Sequence, residues 1–253
     1  MKQRSEKISC LTCYDASFAR CLNTAGIDIL LVGDSLGMVL QGHESTLPVS
    51  MDQMVYHTTC VSAGNDQAMI MVDMPFMSYP RVTLAMDNAA YLMRAGAHML
   101  KLEGGRWLAP TISQLHQQGM PVCAHLGLTP QAINTLGGYR VQGKNPQQAA
   151  QIIDDACHLT AAGASMILLE CVPQTIGKAV SKAVDVPVIG IGAGPDTDAQ
   201  VLVLYDMLGL TPGHKTRFIK NFLAGRNNIE DAIKAYVKAV KAGTFPASEH
   251  CFN

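Results

Sequence analysis

Asp34, Asp73 and Glu103 each close a short apolar run: Ile27 to Gly33, Met69 to Val72 and Met99 to Leu102. A run of that kind reads as a buried strand, and a carboxylate just past it stands at the strand's C-terminal end. In a closed barrel of parallel strands, ligand sites are built at that end. Three carboxylates converging from neighbouring strands repel one another unless a cation stands between them, and oxygen-only ligation suits Mg²⁺ or Mn²⁺. Taken singly, an Asp after a strand is more often a helix cap than a ligand, and for Asp34 the two readings are about even. Asp73 precedes Met74-Pro75, where a cap is less natural, and Glu103 precedes two glycines that let a ligand approach the backbone. The repetition over three successive runs is what points to a metal.

Other ionisable residues share these runs. Lys101 lies two residues before Glu103, so both point to one side of the strand. An inward lysine needs a partner anion or must lose its proton. It therefore pairs with the carboxylates, holds a substrate anion, or forms a Schiff base. Glu170 ends the apolar run Ser165 to Leu169, a setting suited to a general acid or base near neutral pH, or to a glutamate neutralised by an Arg or Lys. His125 closes Val122-Cys123-Ala124 and either orients a substrate oxygen or is a hydrogen-bonded core histidine. Ile189 to Gly194 reads GxGxG, not GxGxxG, and follows a late strand, so a dinucleotide site is not expected. Its glycines suit a tight turn and ligand approach at a barrel mouth.

The elements that must position these groups recur as strand-helix units. Candidate strands are 8–14, 28–33, 69–73, 99–103, 121–125, 165–171, 186–191 and 202–206. Helical spacing of apolar residues marks 82–95, 147–162 and 228–241, the last with Asn228 as N-cap and Gly243 just beyond. Eight units without a strand reversal predict an α/β fold, a (β/α)8 TIM-type barrel, with residues 1–253 as a single domain. Two long connections, 41–48 and 128–144, leave the carboxylate-bearing face and read as lids. At 253 residues, 48% hydrophobic, 15% charged and with net charge −1, the chain has core material in excess and no basic block for nucleic acid. The sparse charge predicts surface covered by sister subunits. No run is long enough to span a membrane. The start of the chain lacks a signal-peptide stretch, so a reduced, cytoplasmic protein is expected. The Cys10-Cys13 pair falls on opposite faces of a strand, which fits thiols packed as small hydrophobes and not a redox or zinc motif.

In the order of the chain, the motifs Thr12-Cys13-Tyr14-Asp15, Val32 to Gly37, Gln41 to Pro48, Asp73 to Phe76, Arg94 to Ala97 and Lys101 to Gly105 are joined by His125 to Gln131, Gly137-Gly138-Tyr139, Leu169 to Pro173 and Ile189 to Gly194. The set resembles the ketopantoate hydroxymethyltransferase family over nearly the whole chain. The resemblance implies a phosphoenolpyruvate/pyruvate-like barrel that moves a hydroxymethyl group from 5,10-methylenetetrahydrofolate to 3-methyl-2-oxobutanoate in pantothenate biosynthesis. It implies Mg²⁺ at Asp34, Asp73 and Glu103. Ser35 and Lys101, with Asp34, Asp73 and His125 beside them, would hold the 2-oxo acid, and Glu170 would accept the proton. It also implies a large homo-oligomer, commonly a decamer.

Two departures stand near the eighth unit: Asp198-Ala199-Gln200 where the family usually has Asp-Gly-Gln, and Tyr205-Asp206 where it has His-Asp. The N-terminus also starts close to the first strand, which puts the covering of the barrel bottom in question. Rival readings are a lyase or mutase of the isocitrate lyase type, whose Lys-Lys-Cys-Gly-His signature is absent; a Schiff-base aldolase using Lys101; and a non-catalytic scaffold, for which so many inward ionisable groups would be costly.

Overall fold

The apolar runs form eight parallel strands that close into a barrel in sequence order, β8 pairing with β1. The computed structural model describes residues 1–211 and 216–253. The strands are β1 (Ile8–Thr12), β2 (Ile29–Val32), β3 (Met69–Asp73), β4 (Met99–Glu103), β5 (Val122–Gly127), β6 (Met166–Glu170), β7 (Val188–Ile191) and β8 (Ala199–Leu202). The helices are α1 (Ala16–Thr24), α2 (Leu36–Val39), α3 (Met51–Gly64), α4 (Val82–Arg94), α5 (Ala109–Gln117), α6 (Ile133–Leu136), α7 (Pro146–Ala161), α8 (Gln174–Ala183), α9 (Leu204–Met207) and α10 (Ile229–Lys241). Among the described residues no helix is long and apolar enough to cross a membrane.

Side-chain alternation sorts each strand into two layers. Cys10, Leu31, Met71, Met99, Cys123 and Leu168 meet inside the barrel in one apolar cluster. Their neighbours Leu11, Leu30, Val72, Leu100, Ala124 and Leu169 join the larger core under the helices. Cys10 and Cys13 thus fall in different layers, and all eight cysteines are free.

Helix starts follow local chemistry. Asp15 caps α1 by accepting from the N–H groups of Ser17 and Phe18, and Ser50 and Gln53 form a capping box on α3. Asn228 caps α10 as expected, and Gly243, at φ 66°, follows its end.

The eighth strand differs from expectation. It is Ala199–Leu202, registered so that Ile8 faces Ala199, whereas 204–207 is the helical turn α9. Leu204 and Met207 are buried three residues apart, a helical spacing that mimics an apolar strand in so short a run. The true strand was concealed by Gln200, whose Nε2 donates to Gly194 O and Thr197 Oγ1. Ala199 packs inside the barrel, and Tyr205 packs on Tyr14 with ring centroids 5.9 Å apart. Before β1, a 3-10 turn at Lys2–Arg4 is tied to the base of β7 and β8. Lys2 Nζ lies 2.9 Å from Asp198 Oδ2, which also accepts the Val188 N–H.

Candidate active site

Strand register assembles the site. Asp73 is registered with Lys101, Glu103 with His125, and Gly127 with Glu170. Alternation turns Asp73, Lys101, Glu103, His125 and Glu170 inward, at the C-terminal ends of β3 to β6 and above the apolar cluster that fills the bore. Lys101 Nζ stands 3.1 Å from Asp73 Oδ1, 3.6 Å from Glu103 Oε1 and 3.0 Å from His125 Nδ1. His125 Nδ1 also stands 3.5 Å from Glu103 Oε1, and the ring's other nitrogen is Nε2. That Nε2 faces Glu170 Oε2 at 3.3 Å.

The electrostatics follow from burial. Desolvation would push the Lys101 ammonium down, but Asp73, Glu103 and Asp34 outweigh it and hold the group well above the usual lysine range. Burial raises Asp34 well above the ordinary carboxylate value, and the charges of Asp73 and Glu103 raise it further. Asp73 is raised by burial despite the opposing Lys101. Glu103 ends below its ordinary value, because Lys101, then His125 and the Gln131 N–H, overcome its burial. Fully ionised, the three carboxylates outnumber the Lys101 ammonium by two, while His125 beside them ends above its ordinary value, because Glu103 and Glu170 overcome its burial and the Lys101 charge.

Asp34 and Ser35 join from the loop after β2. The Asp34 N–H donates to Asp73 Oδ2 at 3.0 Å, and Ser35 Oγ lies 3.0 Å from the Tyr14 hydroxyl. A Cβ at Gly33 would stand 2.7 Å from Ser35 Oγ, so only glycine leaves that hydroxyl room. Every site residue singled out in the sequence is therefore at the barrel mouth.

Three supporting residues escaped the sequence reading. Gln131, on the 3-10 turn Pro130–Ala132, donates from Nε2 to Asp34 Oδ2 and Met74 O, and its backbone N–H donates to Glu103 Oε2. The Tyr79 hydroxyl donates to Gln131 Oε1 and accepts the Glu103 N–H. Tyr14 supports Ser35. Both Gln131 and Tyr14 sit inside recognisable motifs, but motif membership does not reveal the partner.

The glycine-rich segments serve packing more than ligand approach. The place of a Cβ at Gly104 is taken by the Trp107 ring and that at Gly105 by the Asp155 carboxylate. Gly192 and Gly194, at φ 66° and 84°, make the expected turn, but their open sides face Phe218, Phe252 and Gln174. A cavity of about 370 Å³ lined by Phe76, Tyr79, Trp107, Gln131 and Asp155 lies behind the Tyr79–Gln131 pair and meets the ion cluster only at Glu103. The 128–144 loop meets α2, where the Tyr139 hydroxyl donates to Met38 Sδ at 3.4 Å.

The donor set fits a hard cation in chemistry: three carboxylates at adjacent strand ends, with buried Asp73 Oδ1 lacking any well-aligned hydrogen bond. Among the described residues, no group of three or more acidic, His or Cys side chains already stands in a ligand arrangement. The carboxylates instead turn toward Lys101 and Gln131.

The family model for ketopantoate hydroxymethyltransferase matches residues 1–248. The 3-methyl-2-oxobutanoate hydroxymethyltransferase of Marinobacter nauticus is 63% identical over 251 residues, covering 99% of this chain and 95% of that protein. Among solved structures, 2,3-dimethylmalate lyase, a PEP mutase/isocitrate lyase superfamily member, superposes with a TM-score of 0.61 at 16% identity, covering 82% of this chain and 79% of its own. Phosphonopyruvate hydrolase in complex with oxalate and Mg²⁺ gives a TM-score of 0.61 at 12% identity, covering 79% and 77%. At those identities the two structures establish the shared barrel and nothing more. The match along the full length of close relatives does more: this chain belongs to the ketopantoate hydroxymethyltransferase family and is a hydroxymethyltransferase.

Proposed function

We propose that the protein, as one barrel domain over residues 1–253, transfers the one-carbon unit of 5,10-methylenetetrahydrofolate, with water, to 3-methyl-2-oxobutanoate. The products are 2-dehydropantoate (ketopantoate) and tetrahydrofolate, in pantothenate biosynthesis. The observation that carries this reading is the inward His125–Glu170 pair beside a buried lysine and three carboxylates at one barrel mouth.

Asp34, Asp73 and Glu103 would hold Mg²⁺ (or Mn²⁺), whose charge matches the two negative charges left over in the cluster. When bound, the cation supplies Lewis-acid stabilisation of the charge that develops on the 2-oxo acid. Lys101 and Ser35 bind the acid's oxygens, and Asp34 and Asp73 border the same position. His125 orients a substrate oxygen through its ring. Glu170, whose side chain is 14% exposed against 3% for His125, is the group closest to open space. It removes the C3 proton, and the carbon nucleophile attacks the folate's one-carbon unit. The folate supplies the reactive carbon; the protein supplies orientation and charge. The elevated pKa of Lys101 keeps its amine protonated, which counts against the Schiff-base alternative.

The same reading takes the chain as a cytoplasmic subunit of a homo-oligomer, a decamer by family resemblance. The exposed Tyr56 on α3 and Tyr91 on α4 support covered helix faces. Sedimentation velocity checks this, and a monomer at micromolar concentration overturns it.

The test of the reaction is ketopantoate formation followed by mass spectrometry, with EDTA and Glu170→Ala alongside. Product lost in both controls, the variant falling by about 10²–10⁴-fold, is the expected result. Absence of product from folded, Mg²⁺-supplied protein would overturn the assignment.

A further inference from the structure

Gln131 is the most heavily engaged side chain beside the ion cluster, although it carries no charge. It sits at the root of the long loop after β5, 97 positions from Asp34, and is buried. Both hydrogens of its amide are used, one toward Asp34 Oδ2 at 2.8 Å and one toward Met74 O at 3.0 Å. Its Oε1 accepts from Tyr79, which fixes which way the amide faces. Its backbone N–H reaches Glu103 Oε2 at 2.9 Å. One residue thus grips two carboxylates that come from strands on either side of β3 and that would otherwise swing apart under mutual repulsion.

A saturated amide of this kind has no spare donor for substrate, so its contribution is geometric. We infer that Gln131, locked by Tyr79, is a positioning residue that aims the Asp34 and Glu103 carboxylates for a divalent cation. The inference rests on the cation reading of the site. It also ties the posture of the 128–144 loop to the same carboxylates, because the brace stands where that loop begins.

The test titrates Mn²⁺ into the full-length wild-type protein, Gln131→Leu and Tyr79→Phe by calorimetry, with thermal melts of each. Gln131→Leu should remain folded and bind Mn²⁺ at least about tenfold more weakly, as typical for loss of an outer partner of a metal ligand. Its kcat/KM should fall at limiting Mn²⁺ and recover at millimolar Mn²⁺, a rescue that a merely structural defect would not show. Tyr79→Phe should weaken Mn²⁺ in the same direction by a smaller factor, and it carries the test if Gln131→Leu does not fold. Unchanged Mn²⁺ affinity in a folded variant overturns the inference, as does a wild-type protein that binds no Mn²⁺. A wild-type protein that binds Mn²⁺ yet makes no ketopantoate counts against the transferase reading alone, and the affinity comparison still decides the role of Gln131.

Discussion

Lys101 shows what one side chain is worth when it stands among three carboxylates. It is 3% exposed, as is the Glu103 side chain beside it. Removing the ammonium leaves buried charge uncompensated, a change that costs about 3–5 kcal/mol in other proteins. Lys101→Met should lose stability of that order in urea unfolding of cation-free protein, and added Mn²⁺ should restore part of it. Asp34 predicts the reverse. Its folded pKa lies above its unfolded one, so ionisation penalises the folded state, and the penalty is absent at acid pH and grows as pH rises toward the folded value. Asp34→Asn should therefore melt higher than wild type at pH 7 without cation, at about 2–4 °C per kcal/mol gained, with the difference shrinking toward pH 4. Equal melting temperatures at pH 7 would sink that account. The acidic residues were legible in the sequence because each breaks an apolar run at its end. Gln131 and Tyr79 were not, because a polar residue in a loop gives no sign of partners 24 to 97 positions away.

At the scale of elements, the seam between β1 and β8 is where the barrel must close, and α10 secures it. The buried Tyr236 hydroxyl lies 2.9 Å from both Cys10 O and Gln200 O, one carbonyl from each strand. Its ring packs edge-on against Phe222 and Phe245. Tyr236→Phe should cost about 0.5–1.5 kcal/mol for the hydrogen bond alone, and Tyr236→Ala about 3–5 kcal/mol once the aromatic contacts go as well. Comparable losses in the two variants, read from denaturant midpoints, would mean the hydroxyl is the whole tie. This seam is also where the sequence misled. Strands β3 and β4 were readable to the residue because each apolar run ends on a carboxylate, Asp73 and Glu103. The eighth strand carries Gln200 and is only four residues long, while the helical turn after it offered a more apolar run. Register with β1, a contact across nearly the whole chain, selects between them, and periodicity contains no such information.

For the molecule as a whole, eight strand-helix units and the face carrying the site followed from the sequence, because alternation and carboxylate position both act within a few residues. Closure was expected from the count of eight units and not from any local signal, since it depends on pairing between the first and last strands. Below the ion cluster, the bore is stoppered by Cys10, Leu31, Met71, Met99, Cys123 and Leu168. A stoppered tube admits visitors from one end only. On the proposed reaction, the oxo acid would settle at the bottom before a bulky pterin closes over it, and the pterin would leave before the acid can. Turnover is then a queue that empties in reverse: in steady-state product inhibition, ketopantoate should compete with the oxo acid, and tetrahydrofolate should give mixed inhibition against both substrates. Patterns showing that either reactant can bind first would mean that the barrel has a second way in.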